Sequence, residues 1–186
     1  MDVNPLEIDE APDAAKPWLE GAAKSMGGFL PNLYKEMANA PVVLEAYLTL
    51  SKLLSKTSFS FAEQQLILLT ASARNGCKYC VAAHSSGARM AKLDGDAINA
   101  VRDGRAAEDA KLQALHHFVK HMLDTRGKTD DAEVRTFLDA GYSENQVLEL
   151  MVGIAMKALS NTFSRFAKTE LESINAKMEW AGNDRV

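Results

Sequence analysis

The sequence predicts an all-α fold. Apolar residues recur at helical spacing, as in Leu112, Leu115, Phe118, Val119 and Met122, and no stretch alternates apolar and polar residues as a half-buried strand does. Proline, glycine and the short polar residues also stand where helices start and stop. At 186 residues the chain has the length of one ordinary domain and can bury a core. A single domain over 1–186 is therefore expected, with 1–12 as an N-terminal arm and 172–186 as a C-terminal tail.

The first dozen residues are acidic and hold two prolines, which favours an extended arm. From Asp13 to Met26 the pattern around Trp18, Leu19 and Ala22 predicts a short helix, stopped by Gly27-Gly28. Pro31 and Pro41 each fit the first turn of a helix, where the missing N–H costs nothing; the first helix runs through Asn39 and the second to about Leu54. The run Leu66 to Ala73 predicts a buried helix over about 61–74, ended by Asn75-Gly76, two residue types that tolerate the left-handed stop. The next helix spans about 77–92. Asp94 caps a short one near 96–103, and a longer one covers about 108–125, broken by Arg126-Gly127-Lys128. Thr129-Asp-Asp-Ala-Glu133 opens a helix to Ala140, Gly141 closes it, and Ser143-Glu-Asn-Gln146 is a capping box for the helix that follows. This last helix runs to about 158 and continues or kinks at Ser160-Asn161 toward 171.

Charge and composition exclude several functions. Net charge is −4 with pI near 5.6, and no Lys/Arg cluster offers a nucleic-acid or anionic-membrane surface. No apolar stretch approaches the ~20 residues of a membrane span, and residues 1–10 lack the basic and apolar regions of a signal peptide. Both cysteines lie in one motif, so there is no disulfide framework, and a reducing, cytoplasmic setting is the simplest expectation.

That motif is where the chemistry collects. Cys77, Cys80 and His84 stand at i, i+3 and i+7, on one face of a helix that begins at the cysteines. A cysteine in a first helical turn sits at the positive end of the helix dipole, which lowers the pKa of Cys77. Two intervening residues let the sulfurs reach bonding distance, so thiols and disulfide can interconvert. His84, one turn beyond Cys80, is placed to take its proton. Base-assisted activation therefore goes to Cys80, and Cys77, nearer the loop, is the more accessible sulfur.

Gly76-Cys-Lys-Tyr-Cys-Val-Ala-Ala-His84, preceded by a Glu/Gln-containing apolar helix, resembles the AhpD-like alkylhydroperoxidases of the carboxymuconolactone decarboxylase superfamily. The resemblance extends to Phe29–Pro41 and Phe137–Val147, and covers roughly residues 25–170. It implies an AhpD-like helical bundle, a redox-active cysteine pair and a peroxiredoxin-type oxidoreductase acting on peroxides in antioxidant defence. It also implies a homo-oligomer. Catalytic residues would be Cys77, Cys80, His84 and Gln65, with no bound cofactor or metal; partners would be a peroxide substrate and a dithiol or thiol-protein reductant, since the chain has no flavin or nicotinamide fingerprint. One position departs from the pattern. The AhpD-like glutamate that supports the histidine, twelve residues before the first cysteine, is Gln65 here, with Glu63 pointing elsewhere on the helix. At 1.5 Å per residue from Asn75, Gln65 lies ~15 Å along one helix and His84 ~13 Å along the next, so the two face each other. A glutamine can hold the imidazole but cannot stabilise an imidazolium or accept a proton, so a weaker relay is expected. Replacing Gln65 by Glu should then speed the reaction and lower the thiol titration.

Other readings stay open. The pair could be redox-sensing rather than catalytic, in a stress-response binding module, or the chain could be a carboxymuconolactone decarboxylase-type enzyme. Cys77, Cys80 and His84 could form part of a zinc site, although a structural one usually needs four ligands. The cysteines could also be core packing. His116, His117 and His121 read as surface or interhelical residues, without a His-Glu-x-x-His motif to make them ligands. Tyr79 could guard the cysteines or simply pack, while Trp18, Phe29 and Tyr34 read as core or subunit contacts.

Overall fold

The computed structural model describes residues 3–182, and among them there are nine α-helices, one 3-10 helix and no strand. In order they are α1 Lys16–Ser25, α2 Asn32–Met37, α3 Pro41–Leu54, α4 Phe61–Arg74, α5 Lys78–Met90, α6 Gly95–Asp103, α7 Ala110–Asp124, α8 Asp131–Asp139 and α9 Glu144–Ala167, followed by the 3-10 helix Ser173–Met178. No described helix is long and apolar enough to cross a membrane.

Local chemistry explains most helix ends. Capping boxes open α4 at Ser60/Glu63 and α9 at Ser143/Gln146, and the side chains of Asp94, Asp109 and Asp130 accept first-turn N–H bonds at α6, α7 and α8. Gly76 at φ 66° makes the turn between α4 and α5. Two boundaries differ from expectation. Pro31 caps α2 from outside rather than joining its first turn, with ψ at 142°. Helix α9 takes the continuous one of its two expected courses, with Ser160 and Asn161 buried inside it, but ends at Ala167, short of 171, where Lys168 turns left-handed at φ 58°.

Helix α4 is the centre of the molecule. It packs on α5, α7, α9 and α6, and Leu66 through Ser72 are all buried. Thr70 and Ser72 are poor helix formers, each costing about 0.5 kcal/mol relative to Ala. Burying Leu66, Ile67, Leu68 and Leu69 returns about 1.5–3 kcal/mol per side chain, so packing decides the conformation. Leu66, Ile67 and Leu69 join one apolar cluster with Val81, Ile98, Leu115, Phe118 and Phe137. Leu68 joins a second, with Leu19, Leu33, Met37, Leu44, Tyr47 and Met156, and both cysteines lie in this second cluster.

The described parts of both terminal segments lie against the bundle. In the segment expected as an arm, Leu6 N–H donates to the Lys35 carbonyl, Glu7 pairs with Lys35 at 2.6 Å and Ala11 is buried. In the segment expected as a tail, Glu172 accepts from the Tyr79 hydroxyl at 2.7 Å and Arg102 donates to the carbonyls of Met178 and Glu179. Trp180 is buried in the first cluster, its indole N–H on the Arg102 carbonyl. Sparse apolar residues such as Met178 and Trp180 can anchor a segment whose average composition is polar. Residues 1–2 and 183–186 lie outside the described part.

Candidate active site

The turn at Asn75-Gly76 folds α5 back along α4, and the expected pairing across it is present: His84 Nδ1 lies 3.1 Å from Gln65 Oε1. Gly87 makes room for that glutamine, since a Cβ there would stand 2.5 Å from the same oxygen. Glu63 is occupied elsewhere, bonded to Ser60 in the capping box and 3.5 Å from Lys111. It does not substitute for Gln65.

The other imidazole nitrogen meets a residue the motif did not announce. Lys157 of α9, only 1% exposed, places Nζ 2.9 Å from His84 Nε2. An ammonium only donates, so Nε2 accepts, the ring proton sits on Nδ1, and Nδ1 donates to Gln65. Burial and the Lys157 charge push the His84 pKa well below 6.5, leaving a neutral ring at pH 7. With its lone pair on Lys157 and no hydrogen bond to Cys80 among the described residues, His84 is not placed as the base for that thiol.

The cysteines are organised the other way round from the spacing argument. Both are free and 1% exposed, so Cys77 is no more accessible than Cys80. Cys77 is the N-cap of α5, and its sulfur accepts the Cys80 N–H at 3.3 Å, the first-turn effect in atomic form. Its pKa falls to about 6: the Cys80 thiol donates to it, and the Cys80 N–H, the Lys157 charge and the Ser164 hydroxyl add to that against the cost of burial. Burial pushes Cys80 well above 9, helped by its donation to Cys77 and the charge there, while Lys157 and Asn161 pull the other way. The thiol with the lowered pKa is therefore Cys77, and Cys80 is its proton-bearing partner.

Lys157 explains why this is stable. Among the described residues no carboxylate lies within ion-pair distance of it. A buried ammonium without a counter-charge is costly by several kcal/mol, and the Cys77 thiolate is the anion at hand.

The remaining candidates are structural. Tyr79 ties the C-terminal segment through Glu172 and also meets the Leu33 N–H at 3.5 Å. Tyr34 packs on Tyr47 with ring centroids 5.5 Å apart. His116 lies 3.0 Å from the Thr70 hydroxyl, and His117 pairs with Glu133 at 3.0 Å. No cluster of three or more His, Cys, Asp or Glu able to hold a metal occurs among the described residues.

Comparison with known proteins bears on this geometry. Residues 41–118, which carry Gln65, both cysteines and His84, match the model of the carboxymuconolactone decarboxylase family. The chain thus carries a segment that matches this family and shares the AhpD-like fold of the solved structures below. Among solved structures that share the fold is an AhpD-core, peroxidase-related protein from Ralstonia eutropha JMP134. It has 19% identity and a TM-score of 0.82, over 94% of this chain and 95% of that one. A peroxidase-related protein from Silicibacter sp. TM1040 has 18% identity and a TM-score of 0.78, over 94% and 95%. The debrominase Bmp8, as a cysteine-to-alanine variant in complex with 2,3,4-tribromopyrrole, has 20% identity and a TM-score of 0.78, over 95% and 94%. No curated protein matches the chain.

The matched segment ends before α9, and α9 holds the residues that sequence reasoning missed. Lys157, Ser160, Asn161 and Ser164 are all buried at i, i+3, i+4 and i+7, a polar stripe on an otherwise apolar helix face. That stripe was the available signal.

Proposed function

We propose that the protein is a thiol-dependent peroxidase or disulfide oxidoreductase in which Cys77 attacks and Cys80 resolves. The observation that supports this most is the buried Lys157 ammonium beside a thiol whose pKa lies near 6. A thiolate at pH 7 next to a second thiol is the arrangement peroxide and disulfide chemistry requires. The Cys77 thiolate takes the terminal oxygen of a hydroperoxide, the O–O bond breaks, and the alkoxide leaves with a proton from Lys157, giving an alcohol and a Cys77 sulfenic acid. The neutral Lys157 amine then takes the Cys80 proton. Cys80 attacks the sulfenic sulfur, the S–O bond breaks, Lys157 hands the proton it took to the departing hydroxide, and water leaves with a disulfide remaining. An external dithiol reduces it by exchange, becoming a disulfide itself. His84, held by Gln65, positions the Lys157 amine for both transfers. We also propose a reducing, cytoplasmic setting and a homo-oligomer; Leu148 and Met151, exposed on α9, are surfaces an assembly would cover.

Peroxide consumption with a small dithiol donor tests the reading. Turnover is expected, with loss in Cys77→Ser. Stoichiometric disulfide without turnover would make the pair a sensor, and consumption unchanged in Cys77→Ser would remove the mechanism. The debrominase shares only the fold with this chain, but it makes dehalogenation the competing cysteine chemistry. A brominated pyrrole consumed in place of any peroxide would favour that reading.

A further inference from the structure

Beside the α4–α5 turn and the C-terminal half of α9 lies a cleft of about 270 Å³ lined by Arg74, Asn75, Asn161, Thr162 and Arg165. Its wall is shared with the site. Asn161 is 2% exposed, accepts from the Asn75 amide at 2.9 Å, and its own amide lowers the pKa of Cys80. Arg165 follows Ser164, whose hydroxyl favours the Cys77 thiolate, and donates to the Asn75 carbonyl at 3.0 Å, two residues before Cys77.

The charge in this cleft is lopsided. Arg74 is bound through Nε to Asp124, which also takes Lys120 at 2.6 Å, so the group of Arg74, Arg165, Lys120 and Asp124 carries three cations and one anion. The terminal nitrogens of Arg74 and the rest of the Arg165 guanidinium have no partner among the described residues. Two guanidiniums over amide side chains bind carboxylate by paired N–H donors. A volume just below the ~300 Å³ floor of ordinary ligand pockets suits a small acid.

We propose that this cleft is a carboxylate subsite, so that the substrate of the cysteine pair is a small molecule carrying an acid group beside its reactive bond. The arginines hold the carboxylate at the turn from which Cys77 projects. This deepens the proposed thiol chemistry and rests on it for the reacting bond, but the subsite can be tested without peroxide.

Iodoacetate and iodoacetamide supply the test, since in each the thiolate displaces iodide, forming C–S as C–I breaks, and only the first carries a carboxylate. The rate of thiol loss in the native protein is followed by intact mass. Iodoacetate is expected to saturate and iodoacetamide to remain linear, with benzoate slowing iodoacetate selectively. In Arg165→Gln and Arg74→Gln the ratio of the iodoacetate rate to the iodoacetamide rate is expected to fall about tenfold, as focusing by local charge predicts. Iodoacetate that stays linear and indifferent to benzoate in the unmodified protein would overturn the subsite, with no variant needed. A ratio unchanged in both variants would overturn it equally. A saturating iodoacetate reaction in a protein that consumes no peroxide would keep the subsite and refute the peroxidase reading.

Discussion

At the scale of single residues, Lys157 stands in the place beside the thiols that the motif alone assigned to His84. It sets the charge beside both thiols and leaves His84 as a neutral acceptor held by Gln65. Lys157→Met keeps most of the volume and removes the charge. It should raise the Cys77 pKa by about 1–3 units, the usual effect of losing a close opposite charge, read as the pH midpoint of alkylation. Gln65→Glu was expected from sequence to act on the thiols. In the structure it acts first on His84, whose Nδ1–H donates to the side-chain oxygen that would become part of a carboxylate. The His84 titration, followed by NMR, should therefore move up by more than the Cys77 midpoint moves in either direction; equal shifts would mean that His84 touches the thiols directly.

Among elements, what was legible in the sequence was what local chemistry decides. The Ser143/Gln146 box, the Asp94 cap and the Asn75-Gly76 turn each depend on neighbours within four residues, and each stands where expected. The facing of Gln65 and His84 was legible too, because one tight turn fixes how two helices return. Lys157 and the docking of Trp180 were not, since each is decided by contacts more than seventy residues away, Lys157 with His84 and Trp180 with Arg102. The α4–α9 contact that brings Lys157 in depends on Gly153, where a Cβ would stand 2.8 Å from Ile67 Cγ2. Ala there gains about 1 kcal/mol of helix propensity against about 1–3 kcal/mol of overpacking, so Gly153→Ala should destabilise by up to about 2 kcal/mol. Gly21 on α1 has nothing within 4 Å of its Cβ position, so Gly21→Ala should stabilise by about 0.5–1 kcal/mol. Urea midpoints compare the two, and shifts of the same sign would contradict the packing argument.

For the whole molecule, two buried neutral histidines set the response to acid together with the Cys77 thiolate, whose share is lost first, as pH falls toward about 6. Burial pushes His116 down to about 4, with Lys120 and His117 adding to it, and His84 lies well below 6.5. The unfolded chain binds these protons first as pH falls, so the histidines' share is full above about 6.5 and is lost progressively toward 4. Glu36, raised above 4.5 chiefly by burial, opposes the loss at the lower end of that window. Denaturation midpoints should drop between pH 7 and pH 5, with a smaller drop in His116→Gln; a flat profile would mean both rings find protons in the folded state. The central claim concerns the cysteines, and it has a direct measurement. Reduced protein is mixed with one equivalent of hydroperoxide at pH 7, quenched with a thiol-blocking reagent and weighed intact. The native chain should lose two hydrogens, Cys80→Ser should gain one oxygen on Cys77, and Cys77→Ser should stay unoxidised, carrying only the blocking group on Cys80. An oxygen carried by Cys80 in Cys77→Ser at the rate of the native chain, with none on Cys77 in Cys80→Ser, would contradict the account.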